Sequence, residues 1–145
     1  MPPDYWTQAI SDLSRHDAAM AELVERYAGL SLVSRGDAFA TLARSIVGQQ
    51  ISVKAADSVW RRFSEHVGSV TPTQILAVGE YGLAGCGLSK RKTEYLCDLA
   101  GHFSSGRLDP PAWTSLDDEA VIAELTEVRG IGRWTAEMFL IFNQM

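Results

Sequence analysis

The residues with the most chemical content lie between Leu125 and Leu140, in the run Leu-Thr-Glu-Val-Arg-Gly-Ile-Gly-Arg-Trp-Thr-Ala-Glu-Met-Phe-Leu. A helical pattern leads into Gly130-Ile131-Gly132 and a second helix begins at about Arg133. The unpaired N–H groups of that second helix would project from a turn that lets an anion come close. Such a turn can hold a phosphate through main-chain amides, with little formal charge. The same glycines also suit a bare turn between helices, where they only supply positive φ. Trp134 follows the turn, and an indole face attracts electron-poor or cationic rings with about 0.5–2 kcal/mol. Met138 falls on the same helical face as Trp134. Core packing is the alternative for Trp134, as it is the expectation for Trp60 and Trp113. Gln49 and Gln50 put two adjacent amides in a loop, and Glu137 and Asp57 are carboxylates of last resort for acid–base work. Glu137 also suits a plain helix start, where negative charge complements the dipole. Lys90, Arg91 and Lys92 either meet phosphate or solvate a helix face.

These groups need a scaffold, and the chain has 145 residues for it, with 46% hydrophobic and 21% charged positions. That is one domain with a single core, and it excludes disordered and fibrous classes. Apolar residues recur at helical spacing and no alternating β-branched run persists, so the fold class is all-α. Helices are expected over Tyr5–Arg15, Ala18–Tyr27 and Ala38–Val47, the last capped by Asp37 and broken at Gly48. Ser52 caps the next, which closes near Gly68, and Thr71-Pro72 opens a short one. Gly82, Gly85 and Gly87 are read as a turn, Ser89 as the cap of a helix towards His102, and Gly106–Pro111 as a loop. Asp117, Asp118 and Glu119 place negative charge at the start of a helix through Leu125. Thirteen Lys and Arg against 18 Asp and Glu give a net charge of −5, which weighs against nucleic acid unless basic spots are local. Two cysteines, Cys86 and Cys97, are too few for a disulfide framework or a four-thiolate metal site. The longest apolar run, Met138–Phe142, falls far short of the roughly 18 residues of a membrane-spanning helix. The Met-Pro-Pro-Asp start lacks a secretory signal, so a cytoplasmic, nucleoid-associated or nuclear protein is expected.

Three motifs in order carry a resemblance. Phe39-Ala-Thr-Leu-Ala-Arg-Ser-Ile-Val-Gly-Gln-Gln-Ile-Ser-Val-Lys-Ala-Ala56, Gly87-Leu-Ser-Lys-Arg-Lys-Thr-Glu-Tyr-Leu96 and Val128-Arg-Gly-Ile-Gly-Arg-Trp-Thr-Ala136 together resemble the helix-hairpin-helix DNA glycosylases, specifically the 3-methyladenine DNA glycosylase II group. The resemblance runs from about Asp4 to Met145 and implies a single helical glycosylase domain over 1–145, with its hairpin at about 120–143. It implies a monomer that binds double-stranded DNA, everts an alkylated purine and hydrolyses its N-glycosidic bond.

The carried-over roles follow position by position. Gln50 matches the wedge that enters the base stack, while Ser52 and Ser89 match neighbours of the groove. Gln49, Trp134 and Met138 match the base pocket, although some relatives carry an aromatic at the position of Met138. Gly130, Gly132 and Thr135 would donate N–H groups to phosphate, and Arg129 stands where many relatives have proline. Thr126, Val128 and Ile131 match positions whose backbone carbonyls hold a monovalent cation, and no organic cofactor or zinc is implied. Trp134 stands where bifunctional relatives carry a Schiff-base lysine, and two thiols cannot supply an iron–sulfur cluster, which leaves a monofunctional hydrolase without lyase activity. The catalytic aspartate of the family would lie beyond Met145. Phe139-Leu-Ile-Phe142 also lacks a helix-ending signal, so the domain is expected to be incomplete at its carboxyl end and inactive alone. The rival readings are a non-catalytic hairpin module that binds DNA and a helical protein-interaction domain.

Overall fold

Short polar side chains set most of the helix starts in the computed structural model, which describes residues 1–145. Helices α1 (Trp6–His16) and α2 (Ala18–Arg26) form an antiparallel pair, with Asp17 accepting from the Met20 amide between them. Asp37 opens α3 (Ala38–Val47) by accepting from the Ala40 amide at 2.7 Å. Ser52, Thr71 and Ser89 do the same for α4 (Val53–Val67), α5 (Pro72–Leu83) and α6 (Lys90–Ser104). After the one-turn α7 (Pro110–Trp113), Asp117 caps α8 (Asp118–Thr126), and α9 (Arg133–Phe139) runs on into a π-helical turn, Leu140–Gln144. Each capping side chain satisfies an amide that the helix itself cannot. The nine α-helices and the lack of any strand agree with the all-α reading.

Two expectations are corrected. Gly82 lies inside α5, because fully buried Leu83 extends the helix past it, and the break falls instead at Gly79, where φ is 69° and ψ is 171°. Pro110 and Pro111 start α7 and are not loop. Proline is tolerated in a first turn, and Trp113, 3% exposed, draws the segment onto the core.

Helix α3 is the axis of the core. Its Leu42, Ala43, Ile46 and Val47 are fully buried, and the helix packs against α4, α6 and α9. A file of edge-to-face aromatic pairs runs through α3, α6, α7 and α9: Phe39–Phe103 at 5.2 Å, Phe103–Trp113 at 6.5 Å and Trp113–Phe139 at 5.5 Å. Each such pair contributes about 0.5–1.5 kcal/mol beyond area burial. The Trp113 indole N–H also donates to Glu124 Oε2 at 2.7 Å, so this buried ring leaves no donor unpaired.

The carboxyl-terminal turn closes back on the start of α3. Asn143 Nδ2 donates to the Gly36 carbonyl at 2.9 Å and to Thr41 Oγ1 at 3.2 Å, and the Arg35 amide donates to the Phe142 carbonyl at 2.9 Å. By contrast, α1 and α2 contain no buried residue. No helix is long and apolar enough to cross a membrane.

Burial raises the pKa of the Cys86 thiol, and burial with the charge of Glu80 raises that of Cys97. A folded-state pKa above the unfolded one favours the neutral thiol in the fold, so its stabilising effect is complete below the ordinary thiol range and is lost as pH rises through the raised values. Iodoacetamide at neutral pH should therefore label both thiols slowly in the native chain and readily in denaturant. Replacing both by alanine should flatten the alkaline fall in stability seen by denaturant titration.

Candidate functional site

The turn between α8 and α9 is built from two buried anchors. Val128 and Ile131 are 1% and 4% exposed, and the Ile131 amide donates to the Val128 carbonyl at 3.1 Å. Between them Gly130 takes a φ of 90°, a left-handed conformation in which a side chain is strained. The Tyr95 ring of α6 packs against this glycine: an added Cβ would stand 2.5 Å from Tyr95 Cγ and 2.8 Å from Cε2. Asp98, one turn along α6, accepts from the Arg129 amide at 2.8 Å. The turn is thus bolted to α6 from one side.

On its other side the turn is open. Gly132 is the N-cap of α9 and, unlike Asp37, Ser52 or Ser89, has no side chain to take the first amides. A Cβ on Gly132 would meet no atom within 4 Å. The backbone N–H groups of Gly130, Gly132 and Thr135 make no hydrogen bond within the chain. Formal charge adds little here. Arg129 pairs with Glu94 at 3.3 Å, and Arg133 pairs with Glu119 and, at 2.8 Å, with Glu137. The hydrogen bond from Arg133 holds the Glu119 carboxyl below the usual carboxylate range, and the same bond raises the pKa of Arg133. The arrangement offers an incoming anion unpaired amides and a glycine surface.

Trp134 is 71% exposed, so the core alternative does not hold for it. Trp113 is core as expected, whereas Trp60 is only half-buried and packs on Phe63 at 5.3 Å. Met138 is half-buried on the same helix. Gln50 is exposed with a φ of 59°, and the amide of Gln49 donates to the Gly130 carbonyl at 2.7 Å. The loop and the hairpin are therefore in contact. A cleft of about 660 Å³ lies between α3 and α4 beside this loop, lined by Arg35, Arg44, Gly48, Ile51 and Trp60 among others, but Gln49, Trp134 and Met138 do not line it.

Ser52 and Ser89 are exposed, each with its hydroxyl engaged as a helix cap. The three basic residues at the start of α6 divide. Lys90 and Arg91 face solvent, while the Lys92 ammonium turns inward to the Val47 carbonyl at 2.7 Å. Asp57 pairs with Arg44 at 2.7 Å, and with Glu137 held by Arg133 neither carboxylate is free. Of the expected cation ligands, the Val128 carbonyl already accepts one amide, and the Thr126 hydroxyl turns back to the Ile122 carbonyl at 2.9 Å. Only main-chain oxygens are left to face an ion. The platform of Glu94, Tyr95 and Asp98 is what sequence reasoning missed. Glu94 and Asp98 share a helical face, but nothing local relates that face to Arg129, 31 residues beyond Asp98.

Helices of this kind, joined by a glycine turn with open amides, define a helix-hairpin-helix protein. Residues 43–140 match the HhH-GPD superfamily of base excision DNA repair proteins, and the chain belongs to that family. It is similar to DNA-3-methyladenine glycosylase 1 of Schizosaccharomyces pombe, with 31% identity over 138 residues that cover 92% of this chain and 60% of the relative. DNA-3-methyladenine glycosylase of Saccharomyces cerevisiae is 36% identical over 115 residues, covering 72% and 39% respectively. The chain thus spans about two to three fifths of the length of these relatives. Among solved structures, a Schizosaccharomyces pombe 3-methyladenine DNA glycosylase in complex with abasic DNA superposes with a TM-score of 0.78 at 31% identity, over 94% of this chain and 69% of that one.

The two hairpin glycines should respond differently to substitution. Gly130→Ala should destabilise the fold, since the left-handed backbone costs roughly 1–2 kcal/mol for a side chain and crowding on Tyr95 about 1–3 kcal/mol more. Gly132→Val should leave thermal stability near that of the unaltered chain. Calorimetry of both variants checks the contrast.

Proposed function

We propose that this chain is the duplex-gripping and base-reading part of a monofunctional DNA glycosylase, acting as a monomer on double-stranded DNA and directed at alkylated purines of the 3-methyladenine type. The observation that carries this reading is Trp134, a large aromatic held in water directly behind amides that no group of the chain satisfies. The amides of Gly130, Gly132 and Thr135 grip a phosphate, Gln50 enters the stack where a nucleotide has left it, and the Trp134 indole receives the everted base. A methylated purine is electron-poor and often cationic, so stacking on the indole favours damage over undamaged bases.

In the hydrolysis, water forms a bond to C1′ of the sugar as the N-glycosidic bond breaks. The bonding pair leaves with the base, and the water proton passes to a carboxylate. Glu137 and Asp57 are both held in ion pairs, so we assign that carboxylate outside these residues and expect this chain by itself to bind without excising. No hairpin lysine is present to form a Schiff base, and the strand is left uncut. The same engaged carboxylates favour a second reading, a non-catalytic DNA-binding module. The carbonyls of Thr126, Val128 and Ile131 would hold a monovalent cation, which stiffens the turn and adds positive charge beside the phosphate. Such a protein works at the nucleoid or in the nucleus.

Duplex affinity should fall as salt rises, through counterions displaced by exposed basic groups outside the hairpin such as Lys90 and Arg91. Gly132→Val should weaken damaged and undamaged duplex alike. Trp134→Ala should lower the preference for an alkylated duplex about 2- to 30-fold, the equivalent of about 0.5–2 kcal/mol, without moving the melting temperature. Base release accompanied by strand scission would overturn the monofunctional assignment. Duplex binding with no base release in any form of the protein would favour the second reading. No duplex binding at any salt concentration would remove both and leave a protein-interaction domain.

A further inference from the structure

The loop between α3 and α4 is short and holds a strained residue. Gln50 has a φ of 59°, and apart from the terminal Met145 it is the only non-glycine residue with a positive value. Such a conformation persists only where the surroundings enforce it. Two long side chains flank it with that effect. From within the loop, Gln49 Nε2 donates to the Gly130 carbonyl at 2.7 Å, 81 residues away. From α6, Lys92 Nζ donates to the Val47 carbonyl at 2.7 Å, at the end of α3 where the loop begins. The far end of the first bond is itself fixed to α6, because Gly130 lies under Tyr95 and the Arg129 amide is held by Asp98. These contacts close a ring that runs from Lys92 to the loop, across Gln49 to the hairpin, and back to α6.

We propose that Gln49 and Lys92 are positioning residues that strap the Gln50 loop to the hairpin, so that the wedge and the phosphate grip move as one rigid unit. The proposal rests on the function put forward above. It assigns Lys92 a role within the protein and not on the nucleic acid, in keeping with an ammonium that is half-buried and aimed at a carbonyl. Gln49 spends only its N–H₂ on the strap, so its carbonyl oxygen remains available to a base. Preorganising the loop removes the cost of ordering it at the moment of insertion. Losing the strap should therefore depress insertion into the stack more than it depresses binding.

Two measurements on the 145-residue chain test this. Amide hydrogen exchange of the free protein, read at positions 48 and 49, whose amides donate to the Arg44 and Ile46 carbonyls at 3.0 and 3.2 Å, should speed up at least about tenfold in Gln49→Leu and in Lys92→Met while core amides are unaffected. Lys92→Arg, which keeps a donor, should behave like the unaltered chain. The second readout is the fluorescence of 2-aminopurine placed beside a tetrahydrofuran abasic analogue in a duplex. At saturating protein, both loop-loosening variants should give a several-fold smaller enhancement, and Lys92→Met should retain its affinity and salt dependence on undamaged duplex.

Unchanged loop exchange would overturn the proposal, as would faster exchange with full fluorescence enhancement. Equal losses of fluorescence and undamaged-duplex affinity in Lys92→Met would also overturn it, by making that residue a general support or a phosphate contact. If the unaltered chain binds no duplex, the proposed function fails and takes the positioning role with it, while the exchange data still decide whether the strap exists.

Discussion

The amides that open α9 must stay unpaired and at the surface, and much of the surrounding structure serves that constraint. An unsatisfied N–H is tolerable in water and expensive in a core, so the turn has to be held rigidly without being covered. Gly132 leaves the amides uncovered, having no side chain to cap or shield them. Tyr95 and Asp98 supply the rigidity from the opposite side, where they restrain Gly130 and Arg129. Replacing Gly132 by serine or aspartate, the residues that cap the other helices, would satisfy α9 internally and close its opening to an outside anion.

Charge is arranged in the same spirit. The chain carries a net charge of −5, and the arginines on either side of the hairpin are neutralised by Glu94, Glu119 and Glu137. The hairpin itself therefore carries little net charge, and what it presents at short range is directed amides and an exposed indole. Arg129 and Arg133 serve to lock α6, α8 and α9 together around the turn.

Features governed by local rules were legible in the residues. Asp37, Ser52 and Ser89 each cap the helix they precede, because a short side chain satisfies amides within three positions whatever the tertiary fold. The glycine turn was legible for the same reason. What lay beyond reach depends on distant partners. Trp113 and Trp134 are each followed by threonine, yet one is 3% exposed and the other 71%. The difference is that Trp113 meets Phe103 and Phe139, and no local pattern encodes that meeting. Gln49 reads as a loop amide and Lys92 as a base for phosphate or solvent until the fold brings Gly130 and Val47 to them, and nothing local marks Tyr95 as the ring that meets Gly130.

The exposure of Trp134 is a consequence of what its helix buries. At about 100° per residue, Trp134 lies roughly 140–160° around α9 from Phe139 and Ala136. Those two are 2% and 0% exposed, and Phe139 joins the aromatic file that reaches Phe39 on the central helix. Asn143, hydrogen-bonded to Gly36 and Thr41, fixes the far end of the same segment. With its inner face and its end both held, α9 has one rotation available to it, and that rotation turns the indole outward beside the open amides. The hydrophobic core thus sets the direction of a side chain that it does not touch, and the indole and the open amides face solvent side by side through packing alone.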